Sequence, residues 1–413
     1  MAGISNSFIS TLRFNRAAPY LCLTVGAASL GSLVFWRAIS RSSQPTATPS
    51  VSASKTIPSP RDTVLPYLQI EQINKLPYPP DALPGSRDVG SPFGSARIYE
   101  WGPTDGERVL LIHGISTPSI ALTDLAFKLV SKGCRVMLFD LFGRGYSSGP
   151  NPLLHNYDSS LYAAQIFLCL QSSTIPWTQF SIIGYSLGGA IGADFTSYFP
   201  NLVKGLVLVA PGGLIRTKHI NWKSKLLYQS RGWIPESLVE KMVGERLWTG
   251  PETARTIEPE PDTVENAETT RTRRDNDNRG NAVYMSSSHI LLPDNPQSTV
   301  SAVVDWQIQH HAGFVPAFIS SIRYAPVHDQ HERWRVIQEN IIKKEGTLRA
   351  VWLVLGETDP IIVADEVIED VRGVLGEENV HIRIVPNVGH EVGVERADAI
   401  VEVMGKVLGR DEW

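Results

Sequence analysis

The most informative stretch of the chain is Phe180-Ser181-Ile182-Ile183-Gly184-Tyr185-Ser186-Leu187-Gly188. Its first four residues form an apolar run typical of a buried strand, and a helix-like segment rich in Gly and Ala follows. A serine at this junction, with glycine two positions before and after it, predicts a very tight turn. Such a turn exposes the Ser186 hydroxyl at a helix N-terminus, where free N–H groups stabilise developing negative charge. The pattern is short, so its meaning depends on the rest of the chain.

Short apolar runs alternate with helix-length amphipathic segments along much of the sequence. The runs are 109–112, 136–139, 180–183, 206–209, 351–355 and 382–385. Before them, residues 96–101 alternate between apolar and polar as a half-buried strand does, and 159–170 and 397–408 are two of the helical segments. This order predicts an α/β fold with a mainly parallel sheet flanked by helices on both faces.

The alternation is interrupted between about residues 212 and 346, where the pattern becomes irregular and mostly helical. We therefore predict a helical cap over 212–346, inserted between the two halves of the core, 63–211 and 347–413. Within the cap, residues 251–281 contain no aromatic residue, few aliphatic ones, and acidic residues followed by arginines. This composition predicts a disordered surface loop.

The N-terminal segment 1–41 differs from the rest, because no acidic residue precedes Asp62 while arginines punctuate it. Its uncharged, apolar run at 20–36, about 17 residues, reaches the lower limit for a spanning helix, so we predict a single-pass membrane anchor. A cleaved signal sequence, a mitochondrial presequence with a membrane stop, and a disordered soluble tail remain alternatives. We expect the membrane of the endoplasmic reticulum or the mitochondrion, with orientation left open by arginines on both sides. Residues 42–62, rich in Ser, Pro and Thr, predict a flexible linker.

The overall composition suits a globular enzyme. Of the 413 residues, 42% are hydrophobic, and a formal net charge of −4 provides no basic field for nucleic acid. The three cysteines, Cys22, Cys134 and Cys169, are too few and too scattered for a disulfide framework or a zinc site. We therefore predict no metal, no cofactor and no nucleic-acid partner.

Two later loops carry residues that could assist Ser186. Asp359 follows the predicted strand 351–355, at the edge where active-site groups of parallel sheets collect, although an aspartate before proline is also an ordinary turn residue. His390 follows the last predicted strand, although a lone loop histidine is usually only solvated. Covalent attack by a serine needs a base and an acid that orients the base. The interval of 390 − 359 = 31 residues leaves room for one helix and one strand between them.

Two earlier turns contain glycine. His113-Gly114 closes the strand that ends near Ile112, and a loop there would place backbone N–H groups opposite the nucleophile. The turn at 140–147 lacks the lysine of a phosphate-binding loop and the glycine spacing of a dinucleotide fingerprint. We therefore expect it to shape its loop and not to bind phosphate.

In this chain order the motifs resemble those of α/β-hydrolases with a serine nucleophile, over about residues 96–407. The resemblance implies the α/β-hydrolase sheet, a nucleophile elbow (the tight turn Gly184 to Gly188 around Ser186), and a cap inserted after the strand that follows the helix of this elbow. The polar loop within the cap departs from the family and lengthens the nucleophile-to-acid interval to 359 − 186 = 173 residues. The roles implied are nucleophile Ser186, base His390, orienting acid Asp359, oxyanion donors at the backbone N–H groups of Leu187 and Ile115, and elbow glycines Gly184 and Gly188.

Competing chemistries can be weighed on single residues. Relatives that open epoxides or remove halide use aspartate as the nucleophile, which Ser186 argues against. Acyltransferase relatives carry aspartate five positions after the histidine, where this chain has Glu395. We therefore predict a membrane-anchored serine hydrolase that cleaves an ester of a hydrophobic substrate, lipids included, through an acyl-enzyme. The alternatives are thioester, amide or carbon–carbon hydrolysis by the same triad, and a non-enzymatic scaffold.

Overall fold

The computed structural model describes most of the chain after residue 53. The described residues are 54–216, 228–229, 234–248, 288–410 and 412–413. The anchor at 20–36 and the disordered loop at 251–281 lie outside them and stay predictions. In the described part of the chain, no helix combines the length and the apolar character needed to cross a bilayer.

An eight-stranded sheet forms the centre of the described structure. The described strands are β1 (Thr56–Ile57), β2 (Ser86–Ser91), β3 (Gly94–Trp101), β4 (Glu107–Ile112), β5 (Cys134–Phe139), β6 (Gly149–Pro150), β7 (Phe180–Tyr185), β8 (Val203–Val209), β9 (Ile290–Leu292), β10 (Asn295–Thr299), β11 (Val351–Gly356) and β12 (Val380–Val385). The sheet order is β12-β11-β8-β7-β4-β5-β3-β2. Strands β12 to β5 are parallel, and β3 and β2 join antiparallel at one edge. The predicted mainly parallel sheet is confirmed.

Helices flank this sheet. The described α-helices are α1 (Pro60–Thr63), α2 (Ile70–Ile73), α3 (Thr123–Ser131), α4 (Ser159–Gln171), α5 (Leu187–Tyr198), α6 (Glu236–Leu247), α7 (Val300–His310), α8 (Phe314–Tyr324), α9 (His331–Lys343), α10 (Ala364–Leu375), α11 (Val392–Glu395) and α12 (Ala397–Val407). Helix α3 packs against α12, whereas α4, α5, α9 and α10 pack successively against one another. Two helical groups are what a parallel sheet buried on both faces requires.

Parallel pairing brings the loops that matter to one edge of the sheet. Ile112, the last residue of β4, is paired with Gly184 of β7, and Tyr185 is paired with Val209 at the end of β8. The last residue of β11 is likewise paired with the last residue of β12. The loops that follow these five strands therefore start side by side.

The linker predicted at 42–62 is too long at its C-terminal end. Strand β1 pairs antiparallel with β6, and the N–H of Asn151 donates to the carbonyl of Lys55 at 2.9 Å. Helix α1 follows with Pro60 at its start. The residues Thr56 and Ile57 are β-branched, which favours a strand. Their backbone groups are paired with those of Gly149 and Pro150.

The predicted cap boundary at 346 is also too late, because helix α9 lies within the core layer. Trp334 of α9 is 1% exposed, and the helix packs against α5 and α10. The described cap is made of α6, the β9–β10 hairpin, α7 and α8. Its two connections meet where Ile215 bridges His328 and where Gly213 N–H donates to the Val327 carbonyl.

Candidate active site

Ser186 lies on the sharp turn between β7 and α5. It has φ 53° and ψ −115°, a conformation that costs a non-glycine residue about 1–3 kcal/mol. A Cβ on Gly184 would lie 2.3 Å from the carbonyl oxygen of Gly188, and a Cβ on Gly188 would lie 2.1 Å from that of Ile112. The two glycines therefore allow the backbones of β4, β7 and α5 to approach closely enough to form the turn.

The structure brings Ser186, His390 and Asp359 together. Nε2 of His390 lies 2.9 Å from Oγ of Ser186, and Nδ1 lies 2.9 Å from Oδ2 of Asp359. The side chain of Asp359 is fully buried, whereas that of His390 is 15% exposed. Since an ionised carboxylate only accepts hydrogen bonds, Nδ1 is the donor and Nε2 accepts from the serine hydroxyl. This is the geometry in which a histidine can take the serine proton.

Backbone and side-chain contacts hold the two loops that carry the base and the acid. Oδ1 of Asp359 accepts the N–H groups of Ile361 and Ile362, each at 2.8 Å. The hydroxyl of Tyr185 donates to Oε2 of Glu391 at 2.8 Å, and burial raises the pKa of this glutamate. Sequence patterns did not single out Glu391, because a glutamate next to a loop histidine has no local signature.

The two predicted oxyanion donors lie beside the nucleophile. Leu187 is the first residue of α5, so its N–H is one of those left without an intrahelical acceptor. A Cβ on Gly114 would lie 3.4 Å from Cβ of Ser186, which places the start of the 114–118 loop next to the serine. Among the described residues, neither the Leu187 N–H nor the Ile115 N–H has a hydrogen-bond acceptor. Both are therefore available to a ligand oxygen.

His113 is a buried residue that sets the conformation of this loop. Its Nδ1–H donates to the carbonyl of Gly114 at 2.7 Å, and its Nε2 accepts the N–H of Leu141 at 2.8 Å. Burial lowers the pKa of His113 to about 3, so the ring is neutral. In a trans peptide the C=O and N–H point in opposite directions, so the Ile115 N–H faces away from the His113 ring.

The 140–147 turn acts as a structural element, as its sequence predicts. Asp140 is fully buried, and it accepts the N–H groups of Ser119 at 3.0 Å and Tyr146 at 2.9 Å. The hydroxyl of Tyr78 donates to the same carboxylate at 3.1 Å. Burial raises the pKa of Asp140, while the backbone donors oppose that effect. The carboxylate therefore holds three parts of the fold together: the 140–147 turn, the backbone at Ser119 and the side chain of Tyr78.

The described residues offer little to a metal ion. No group of three or more His, Cys, Asp and Glu side chains within the described ranges has the arrangement of a metal site. His311 is buried and neutral: its Nε2–H donates to the Ser147 carbonyl, and its Nδ1 accepts the N–H of Gly313. Cys134 and Cys169 are buried free thiols.

An open cleft of about 370 Å³ lies among the cap helices α6, α7 and α8. Its walls include Glu240, Trp248 and His311, and none of the three triad residues. Closer to the triad, Val239, Val243, Phe318 and Ile319 form a small apolar cluster that packs against Ile115. The cap therefore reaches the oxyanion loop with apolar side chains.

Comparisons with known proteins agree with the fold. A family model described as alpha/beta hydrolase fold matches residues 107–238. A serine hydrolase-like protein of Danio rerio is 31% identical over 130 residues, or 31% of this chain and 38% of the relative. Lipase 1 of Psychrobacter immobilis is 32% identical over 121 residues, or 29% of this chain and 37% of the relative. The matches span little more than a third of the length of these curated relatives.

A solved structure covers more of the chain. The crystal structure described as a membrane phospholipase A, a novel bacterial virulence factor, superposes with a TM-score of 0.51 at 18% identity. The superposition covers 80% of this chain and 88% of that one, which shows a shared fold. The family match over residues 107–238, the relatives and the sheet topology together support the α/β-hydrolase superfamily. Serine hydrolase-like proteins and a lipase are therefore among the proteins that this chain resembles.

Proposed function

We propose that the protein is a serine hydrolase that cleaves a carboxylic ester of a hydrophobic substrate through an acyl-enzyme intermediate. The observation that carries this proposal is the position of His390, 2.9 Å from Ser186 on one side and from Asp359 on the other. His390 takes the Ser186 proton as Oγ attacks the ester carbonyl, and Asp359 stabilises the imidazolium that forms.

The N–H groups of Leu187 and Ile115 would then hold the oxyanion of the tetrahedral intermediate. Removing one such donor typically costs about 3–4 kcal/mol of transition-state stabilisation. His390 gives its proton to the leaving alcohol, and a water that it deprotonates releases the acyl group and restores Ser186.

An apolar acyl group is favoured by the surroundings of Ile115, where Val239, Val243 and Phe318 of the cap present apolar side chains. The similarity to Lipase 1 of Psychrobacter immobilis supports the same class of substrate. Thioesters, amides and carbon–carbon bonds need the same triad, so a substrate panel separates them from esters.

Labelling with a fluorophosphonate tests the proposal directly, because an activated serine displaces its fluoride and forms a stable phosphonate ester. We expect the 413-residue chain to label and to hydrolyse p-nitrophenyl esters, with medium acyl chains preferred over acetate. Ser186→Ala should lose both signals, by at least about 10⁴-fold in kcat. Full activity in Ser186→Ala would exclude the mechanism, and absence of labelling in the unaltered protein would favour the scaffold alternative.

We also propose that residues 20–36 anchor the protein in a membrane, which concentrates the site near lipid substrates. This rests on the apolar character of that run in the sequence. Leu23→Arg combined with Leu30→Arg should shift the full-length protein from the carbonate-resistant membrane fraction to the supernatant, since each arginine costs about 3 kcal/mol in a spanning helix. Unchanged fractionation would exclude the anchor and leave the hydrolase proposal intact.

A further inference from the structure

The carbonyl groups of Ile115 and Ser116, one and two peptides after the one that carries the Ile115 N–H, are held by side chains from outside their loop. Nε of Arg144 donates to the carbonyl of Ile115 at 3.1 Å. Nε2 of Gln307 donates to the carbonyl of Ser116 at 2.8 Å. A carbonyl shares a rigid plane with the N–H of the following residue, so these contacts fix the two peptides that directly follow the Ile115 N–H and limit how far that N–H can turn.

Gln307 reaches the loop from the cap. It lies on helix α7, is completely buried, and uses both ends of its amide. While Nε2 donates to Ser116, Oε1 accepts the N–H of Gly145 at 2.8 Å. Gly145 has φ +52°, and a Cβ there would lie 2.2 Å from Oδ2 of Asp140, so this turn has little freedom. Gln307 therefore ties the oxyanion loop to a rigid turn.

Arg144 makes a second connection to the cap. Its guanidinium is fully buried, and its Nη2 donates to Oγ of Ser321 on helix α8 at 2.9 Å. Its Nη1 donates to the carbonyl of Phe142 at 3.1 Å. Within the described ranges, the groups that contact the Arg144 guanidinium include no Asp or Glu carboxylate. A buried cation held mainly by carbonyl and hydroxyl oxygens is costly, and here its hydrogen bonds connect the oxyanion loop, the 140–147 turn and helix α8.

We propose that Gln307, supported by Arg144, is a positioning residue through which the cap sets the direction of the Ile115 N–H. The inference rests on the proposed function, in which this N–H is an oxyanion donor. The cap then contributes to kcat through the backbone geometry of the oxyanion hole, in addition to any contact with the acyl group.

Gln307→Met tests this, because methionine has a similar length but can neither donate to the Ser116 carbonyl nor accept the Gly145 N–H as the amide does. Val303→Ala on the same helix is the matched control, since Val303 is equally buried but belongs to the apolar core. We expect Gln307→Met to lower kcat about 10- to 100-fold with KM within about twofold. A trifluoromethyl ketone, whose carbonyl carbon bonds to Oγ of Ser186 as His390 takes the proton, should lose affinity by the same factor. Val303→Ala should lower the melting temperature and leave kcat and the affinity for the trifluoromethyl ketone unchanged.

Amide hydrogen exchange separates this inference from the proposed function, because it needs no turnover. In Gln307→Met, a peptide spanning 113–118 should exchange about 10-fold faster than in Val303→Ala, while helix α5 stays protected. If the unaltered protein neither labels nor hydrolyses esters, the hydrolase proposal fails. The exchange rates would still show whether Gln307 of the cap holds the loop at 113–118. The positioning role would be overturned if the amide exchange rate at 113–118 were unchanged in Gln307→Met. It would also be overturned if this variant lost activity through a higher KM with kcat unchanged.

Discussion

Oδ2 of Asp359 faces Nδ1 of His390 at 2.9 Å, while the other oxygen of the same carboxylate is committed to the backbone. Oδ1 accepts two N–H groups, those of Ile361 and Ile362. These two donors hold the plane of the carboxylate, so the atom presented to the histidine is fixed before any substrate binds.

Asp359→Asn should inactivate the protein without unfolding it. The asparagine Oδ1 can keep the N–H groups of Ile361 and Ile362, which turns its NH₂ group toward His390. Nδ1 must then accept, Nε2 carries the proton, and the ring can no longer take the proton of Ser186. We expect kcat for a p-nitrophenyl ester to fall about 10³- to 10⁴-fold, with a circular dichroism spectrum like that of the unaltered protein. Asp365→Asn, on an exposed helical position, is the control, and a loss below tenfold in Asp359→Asn would contradict the tautomer argument.

Ser186 should be a site where function costs stability. Because its φ of 53° is unfavourable for a residue with a Cβ, Ser186→Gly should be more stable than Ser186→Ala by about 1 kcal/mol. Both variants lack the hydroxyl, so the comparison isolates the backbone. Urea unfolding of the two proteins measures the difference, and equal stability would mean that the turn is not strained.

The elbow should not tolerate a methyl group at Gly188. A Cβ there would lie 2.1 Å from a backbone oxygen of β4, which cannot move without distorting the sheet. Gly188→Ala should therefore abolish fluorophosphonate labelling and lower the melting temperature. The control is Gly373→Ala, in an exposed part of α10 with no atom within 4 Å of the added Cβ, which should stabilise by about 0.5–1 kcal/mol. Labelling at the original rate in Gly188→Ala would contradict the close packing of the elbow.

Stability should fall in mild acid because buried histidines must stay neutral in the folded protein. Burial lowers the pKa of His311 from 6.5 to about 4. Between these values the unfolded chain binds a proton that the folded protein does not, so the free energy of unfolding rises with pH and falls as pH drops from 6.5 toward 4. For this one residue the loss between pH 7.5 and pH 5 is about 2 kcal/mol.

Urea unfolding of His311→Gln at both pH values checks this prediction. The variant should be less stable at pH 7.5 and should lose about 2 kcal/mol less on acidification. His310→Gln, at the exposed neighbouring position, is the control for the loss of a histidine that is not buried. An acid loss in His311→Gln equal to that of the unaltered protein would assign the effect to other groups.

The core of the fold could be predicted because parallel strands that are buried on both faces have nearly continuous apolar sequences. The run 180–183 became β7, and 382–385 became most of β12. Parallel topology also explains why Asp359 and His390 could be placed near Ser186, since loops after parallel strands share one edge. The order of strands and loops along the chain therefore indicated that these three residues lie close together.

Other features depend on contacts that leave no local pattern. Gln307 and Ser116 are 191 positions apart, and a glutamine on an amphipathic helix has no sequence signature. Helix α9 has the same periodicity whether it covers the sheet or the cap, so only its packing against α5 assigns it to the core. The pairing of Thr56–Ile57 was hidden by neighbours rich in Ser and Pro, which are typical of linkers.

The pairing of β1 with β6 determines where a force applied at the start of the described chain would act. The chain joins the fold through β1, whose partner Gly149–Pro150 directly follows the turn that carries Arg144. Cβ of Ile57 also lies 3.5 Å from where a Cβ would stand on Gly313, beside the start of α8. A pulling force applied to the chain at Ser54 would therefore load the Arg144 turn and the base of the cap before it reached the central sheet.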